Sequence, residues 1–414
     1  MTKTETIKND LVPRFIEYAK IHTSSDRHIA EIPSTPQQWD LLNLLKKQLT
    51  EDFGLKDVNL NENGYLIARL PSNIQKTVPC IGFIAHVDTS SDAPGKDVKP
   101  QIHKNYQGGI VSIGNKQELN PEIDKDLLTY IGKDIICSDG TTLLGADDKA
   151  GIAEIMTAVK YFIENPEIAH GEIEIIFTPD EETGKGMDLF PYKDLHSYCC
   201  YSLDGTKLGE IEAECFNAYE ADIELTGKII HLGIARGQLV NAVTMAAKFI
   251  SLLPQAESPE ATDGRYGYYA PLEMSGTITK AEIKLLLRDF DLNEIHRRAE
   301  ALDHFAKAVE AAFPGGTVSV KTKKQYYNML KHFNQDERIL GLLETAIEKC
   351  GVKPQREAIR GGTDGARLSE QGIPTPNIFT GGHNFHSCRE WAGIYAMEKA
   401  CETVIELIGL WAEN

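Results

Sequence analysis

The stretch Leu143 to Gly151, LLGADDKAG, constrains the fold more than any other part of the chain. Two adjacent carboxylates, Asp147 and Asp148, sit among small residues, and a helical pattern follows at once. Ile152, Ile155, Met156, Val159, Phe162 and Ile163 recur at helical spacing and give that helix a face to bury. The pair therefore stands just before, or in the first turn of, a core helix, where backbone N–H groups favour negative charge. Either acid could serve only as an N-cap. Four further fragments of metal-binding type, each closing an apolar run, move the reading from capping toward chemistry.

A chain of 414 residues has room for two domains and a large core. Its net charge of −18 argues against nucleic acid or an anionic membrane surface as the partner. Cysteines at 80, 137, 199, 200, 215, 350, 388 and 401 form no CxxC pair, so free thiols in a reducing compartment are expected. The first twenty residues hold no continuous apolar segment of secretory type. No run approaches a membrane span in length. These features point to a cytoplasmic protein.

The metal-type fragments lie at strand ends. Pro79 to Thr89, PCIGFIAHVDT, reads as a buried strand running into His86 and Asp88. Residues two apart on an extended chain share a side, so a histidine and a carboxylate there can act together. Residues 91–142 read as an insertion of hairpin and loops. GEIEIIFT, Gly171 to Thr178, alternates as a strand and ends in Asp180, Glu181 and Glu182. Tyr198 to Leu203 is a further short strand, ending in Asp204. A sheet of this type presents its chemistry at such ends.

Near residue 214 the texture changes. Strands at Ala221 to Leu225 and Glu282 to Arg288, with helices at Gly237 to Leu253 and Leu292 to Ala312, predict an inserted α+β sandwich on a four-stranded sheet. The first texture returns near Tyr326, with helix Arg338 to Cys350, the Gly-rich IRGGTDGA, strand Pro376 to Thr380, GGHNFH and a last helix. The expected limits are 1–213 with 326–414 for a discontinuous first domain, and 214–325 for the insert.

A hydrolytic centre with two divalent ions needs about five N and O ligands, one of them a bridging carboxylate, plus an unligated acid for proton transfer. The inventory supplies each part once. Asp147 is assigned as the bridge, His86 and Asp204 complete one ion, and Glu182 and His386 the other. Glu181 remains as general base, and Asp88 is expected to bond the far nitrogen of His86. His383 and Cys388 are read as packing residues, and Cys199-Cys200 as core.

HVDT, GADDKAG, TPDEETGKG, LDG and GGHNFH, in this order, resemble the dinuclear zinc peptidases of the M20 clan, and more narrowly its tripeptide aminopeptidases. The resemblance runs along essentially the whole chain. It implies an α/β zinc-binding domain with a mixed, mostly parallel sheet and an inserted ferredoxin-like lid, through which many relatives form homodimers. It implies two zinc ions per subunit, with cobalt or manganese as alternatives in vitro, and removal of the N-terminal residue from tripeptides by a two-zinc hydroxide mechanism. His231 would stabilise the oxyanion, while Arg288, Arg360 and Asn241 would bind the substrate.

Two stretches depart from the family pattern. Leu232 replaces a proline and Arg236 a lysine in the lid motif around His231. Ser387-Cys388-Arg389-Glu390 stands where relatives carry a glycine and a lysine. Another M20-type hydrolase (dipeptidase, deacylase or carboxypeptidase) is the nearest alternative reading. A peptide-binding protein without catalysis is the more distant one, and keeping Glu181 beside a full ligand set weighs against it.

Overall fold

The computed structural model describes residues 2–414 and divides into two compact units. The first takes the chain up to Ala213, then Lys331–Glu357 and Thr363–Asn414. The second takes Glu214–Leu330 and Ala358–Gly362, so the segment carrying Arg360 packs with the second unit, whereas its sequence position suggested the first.

The first unit is built on an eight-stranded mixed sheet. Parallel pairing occupies its centre, where Ile173–Thr178, Ile81–His86, Cys199–Gly205 and Asn377–Phe379 lie side by side. Antiparallel strands flank it, Leu66–Leu70 on one side and Glu210–Cys215 on the other. Burial explains the centre. Ile81–His86 and Ile173–Thr178 are buried at every position, as strands covered on both faces must be. Within GEIEIIFT, Glu174 and Thr178 are therefore not solvent-facing, whereas Glu172, ahead of the strand, is half-buried. Glu174 is fully buried and accepts from Arg69 Nε at 2.9 Å and from the Ser197 backbone N–H at 2.9 Å.

Helices Lys3–Ala19, Ala146–Glu164 and Ile394–Glu413 pack together, and Ala146–Glu164 lies directly on the central strands. Gly151 permits that approach: a Cβ there would come 2.1 Å from the Leu203 carbonyl oxygen. The insertion at 91–142 holds a hairpin, Val111–Gly114 with Gln117–Leu119, turned by Asn115 and Lys116, both at positive φ. Two further short strands of it, Gln101–His103 and Ile135–Cys137, join Gly382–His383 and Trp391–Gly393 in a separate four-stranded sheet.

The second unit is an antiparallel sheet of four strands in the order Tyr268–Gly276, Lys280–Asp289, Asn217–Thr226, Thr317–Tyr326. Helices Ala242–Leu252 and Leu292–Ala312 bury Met245, Ala246, Phe249, Ile295, Leu302 and Val309 against Ile223, Leu225, Ile283 and Leu285. The first helix starts at Ala242 and not at Gly237, because Asn241 caps it by accepting the Val243 N–H at 3.0 Å. The two outer strands escaped the sequence reading. Tyr268–Gly276 contains Pro271 beside a register shift, and Thr317–Tyr326 is lysine-rich, as edge strands often are.

Candidate metal centre

The four central strands run parallel, so their carboxyl ends open on one side of the sheet. His86 and Thr178 are register partners, and Ile84 pairs with Ser202, which brings His86 and Asp204 to the same edge two residues on. The sheet register thus delivers His86, Asp180 to Glu182, and Asp204 to one place. The helix Ala146–Glu164 points its first turn there as well, and the Gly382–His383 strand leads into His386.

Asp147 is the centre of the cluster. Its Oδ1 lies 2.8 Å from His86 Nε2 and its Oδ2 lies 3.3 Å from His386 Nε2, so each oxygen faces one histidine. Asp204 Oδ1 is 3.7 Å from His86 Nε2, and Glu182 Oε2 is 2.9 Å from His386 Nε2. The five residues assigned from sequence as ligands therefore meet in one site. Asp148, the other half of the acid pair, turns away to the backbone. It accepts the Gly151 N–H at 3.2 Å and the His86 N–H at 3.3 Å. Capping and site chemistry are divided between the two neighbours. Asp148 also lies close enough to His86 and Asp204 to share an ion, but both its oxygens already serve backbone donors.

Asp88 lies beside His86 Nδ1, and does more than the expectation gave it. His86 Nδ1 is held at 3.0 Å by the Asp88 main-chain carbonyl, with the side-chain oxygen farther off at 3.4 Å. The Asp88 carboxylate also accepts the backbone N–H groups of Glu181 at 3.0 Å and Glu182 at 3.2 Å. Asp180, at φ +60°, anchors the other end of that turn through Ser34 and Gln38.

The electrostatics fit a site for divalent cations. No lysine or arginine side chain pairs with Asp147, Glu181, Glu182 or Asp204 among the described residues. Burial, with Asp204, Asp364 and Glu182 adding to it against the opposing His86, raises Glu181 well above the ordinary carboxyl range. Burial and the nearby Asp147 push Glu182 up to about 7 and Asp204 to about 6. His386 is buried against its charge, yet Asp147 and Glu182 raise it to about 11. Glu182 Oε1 is buried with no hydrogen-bond partner. Carboxylates and imidazoles in this proportion are the donor set of zinc and its neighbours in the first transition row.

The model of peptidase family M20/M25/M40 matches residues 145–409. The chain belongs to this family. As an M20 peptidase it is a peptide-bond hydrolase. It is 44% identical over 401 residues to peptidase T of Clostridium perfringens, covering 97% of this chain and 98% of that one. Against peptidase T of Geobacillus thermodenitrificans it is 42% identical over 410 residues, covering 99% and 100%. Solved structures share its fold: aminopeptidase PepT of Bacillus cereus (TM-score 0.74, 24% identity, 98% and 99% covered) and a tripeptidase of Staphylococcus aureus (TM-score 0.76, 21% identity, the same coverage).

The remaining residues assigned by resemblance to M20 peptidases lie in the second unit. His231 is exposed and opens a short 3-10 turn, Leu232–Ile234, where its Nδ1 accepts the Gly233 N–H at 3.1 Å. Arg288 makes no ion pair with Asp289 or Asp291. Its guanidinium donates to the Tyr219 and Leu287 carbonyls and to Gln325 Oε1, while Asp289 pairs with Arg298. Arg360 donates to the Thr262 carbonyl and Oγ1 at 2.6 Å and lies over the Phe216 and Tyr268 rings. Among the described residues neither arginine has a carboxylate partner. Asn241 spends its side-chain oxygen on the helix cap.

Two site acids escaped the sequence reading. Asp364, in the TDGA of the Gly-rich turn, is buried and accepts from Thr178 Oγ1 at 2.6 Å; burial pushes it up to about 7. A carboxylate opening a short helix at a strand edge was the available signal. Glu390 accepts three backbone N–H groups around Asp147, and no local pattern announces it. His383, by contrast, packs as expected: it stacks on Trp391 with ring centroids 4.1 Å apart and meets Tyr130 Oη at 3.2 Å.

Proposed function

We propose that this M20 peptidase is a tripeptide aminopeptidase working with two divalent ions, zinc in the first instance. The observation that carries the reading is the placement of Asp147, whose two carboxylate oxygens each face a different histidine. That is the arrangement required of a bridging ligand. His86 and Asp204 would hold one ion with it, and Glu182 and His386 the other. Two ions there supply Lewis acidity toward the scissile carbonyl and toward water. The full-length match to curated peptidase T chains selects tripeptides as the substrate class.

The chain's own groups do the rest. Glu181, held by its backbone N–H to Asp88, takes the proton of the attacking water and returns it to the leaving amine. Because His231 Nδ1 accepts a backbone bond, its neutral ring carries the proton on Nε2 and can donate to the developing oxyanion. The guanidinium groups of Arg288 and Arg360, held by neutral acceptors and without a carboxylate partner among the described residues, suit the substrate's C-terminal carboxylate, with Asn241 as a further polar contact. Such a carboxylate contact is what lets an enzyme measure peptide length.

Two further assignments accompany this reading. All eight cysteines are free, which suits a cytoplasmic protein, and no helix among the described residues is long and apolar enough to cross a membrane. The outer strand Tyr268–Gly276 exposes Leu272 and Met274, a surface suited to a homodimer formed through the second unit.

The test is hydrolysis of Met-Gly-Gly beside its N-acetylated form, the matching dipeptide and the matching tetrapeptide, each with zinc and with chelator. Zinc-dependent cleavage of the free tripeptide alone is expected. Cleavage of the acetylated form would assign a deacylase or carboxypeptidase instead. Inertness toward all of them with metal bound would make the chain a peptide-binding protein.

A further inference from the structure

Glu390 closes the loop that carries His386 and precedes the strand Trp391–Gly393. Its side chain does not point to solvent, as a glutamate in a loop ordinarily would; the residue is 1% exposed. Its Oε2 accepts the N–H groups of Leu144 at 2.7 Å and Gly145 at 2.8 Å, and its Oε1 accepts the N–H of Asp147 at 3.1 Å. A single carboxylate thus satisfies three backbone donors of the turn that aims Asp147. That turn includes Gly145 at φ +81° and the non-helical Asp147 and Asp148, and the helical bond that spans it, from the Lys149 N–H to the Gly145 carbonyl, is long at 3.3 Å.

The loop is fixed from its other side as well. Asp124 Oδ2 accepts from Asn384 Nδ2 at 2.9 Å and from Trp391 Nε1 at 2.6 Å, and the Trp391–Gly393 strand pairs with Ile135–Cys137. Glu390 is therefore attached to a rigid frame. Through it, the turn bearing Asp147 and the loop bearing His386 are tied together at one point.

We infer that Glu390 is a positioning residue that fixes Asp147 against His386 and so sets the spacing of the two cation sites. The inference rests on the dinuclear reading given above. Glutamine at this position keeps the volume and one carbonyl oxygen. With that oxygen on Leu144 and Gly145, the amide NH2 meets the Asp147 N–H, donor against donor, and the turn under the bridge is released. Partners of this kind, one step behind the ligands, are worth about 10–100-fold in metal affinity when lost.

The experiment is zinc binding to chelator-stripped protein, read by competition with a chromophoric chelator, for wild type and E390Q. The visible spectrum of the cobalt-loaded proteins at saturating cobalt is the second readout. Wild type is expected to take two ions, and E390Q to bind both about 10–100-fold more weakly, with an altered cobalt spectrum. E390Q that melts earlier but binds zinc with wild-type affinity and gives the wild-type spectrum would reduce Glu390 to scaffold and overturn the inference. Should E390Q fail to fold, E390D, which keeps the charge but withdraws it by one methylene, is judged on the same two readouts. A wild-type chain that binds no zinc or cobalt would overturn the dinuclear reading itself, a different result from a variant that matches a metal-binding wild type.

Discussion

Asp88 Oδ1 accepts the backbone N–H of Glu181 at 3.0 Å, while the carbonyl of the same aspartate faces His86 Nδ1. One residue therefore holds the proposed base with its side chain and a proposed ligand with its main chain. The two tasks can be separated by mutation. Asp88→Asn leaves the carbonyl in place but sets an amide NH2 against the N–H of Glu181 or Glu182. Tripeptide turnover is expected to fall about 10–100-fold with metal content unchanged, measured by steady-state kinetics beside metal analysis. Loss of metal with turnover per bound ion preserved would show that the side chain serves His86 instead.

Glu181→Gln removes the proton acceptor without removing a ligand. Turnover is expected to fall about 10²–10⁴-fold while the metal content stays at the wild-type level. Near-normal turnover would take Glu181 out of the mechanism.

His231→Ala tests the second unit. The kcat for a free tripeptide is expected to drop about 10²–10³-fold, the scale of one lost oxyanion donor, with zinc content unchanged. A variant that loses zinc would make His231 a ligand.

His383 offers a pH signature that is independent of the ligands. Burial lowers it to about 4, against an ordinary value near 6.5. The folded state therefore binds fewer protons than the unfolded state between those values, and stability falls as pH drops through that window. Replacing His383 by glutamine should remove up to roughly 3 kcal/mol of acid sensitivity between pH 6.5 and 4. Thermal melts of both proteins across that range measure it, and parallel curves would refute the assignment.

The legible parts of the sequence are those where one side chain carries the signal. His86, Glu182 and Asp204 stand out because each lies at or just after the end of a buried strand, Asp147 because it opens a core helix, and His386 because it closes GGHNFH. Glu390 was invisible because its partners are backbone N–H groups, which any sequence would supply. Asp88 was found beside His86 Nδ1, with its carboxylate 3.4 Å away, but spacing indicates only that two residues share a side and does not show that the same carboxylate also holds the Glu181 and Glu182 N–H groups. The helix over Ala242–Leu252 was drawn too long because periodicity ran through Gly237 to Val240, whereas the Asn241 cap decides the start. The strands at Tyr268–Gly276 and Thr317–Tyr326 were missed because edge strands need no apolar alternation on their outer side.

In the large sheet, Asn377–Phe379 lies between Cys199–Gly205 and Glu210–Cys215, which precede it by more than 150 residues in the chain. Until the ribosome has delivered that strand, both older strands keep an open edge, and the loop with His386 that follows it is still to be made. The centre thus cannot be assembled before residues 377–386 have been made. A chain that stops before residue 377 lacks both that strand and His386, and is expected to be inactive and to leave two strand edges unpaired.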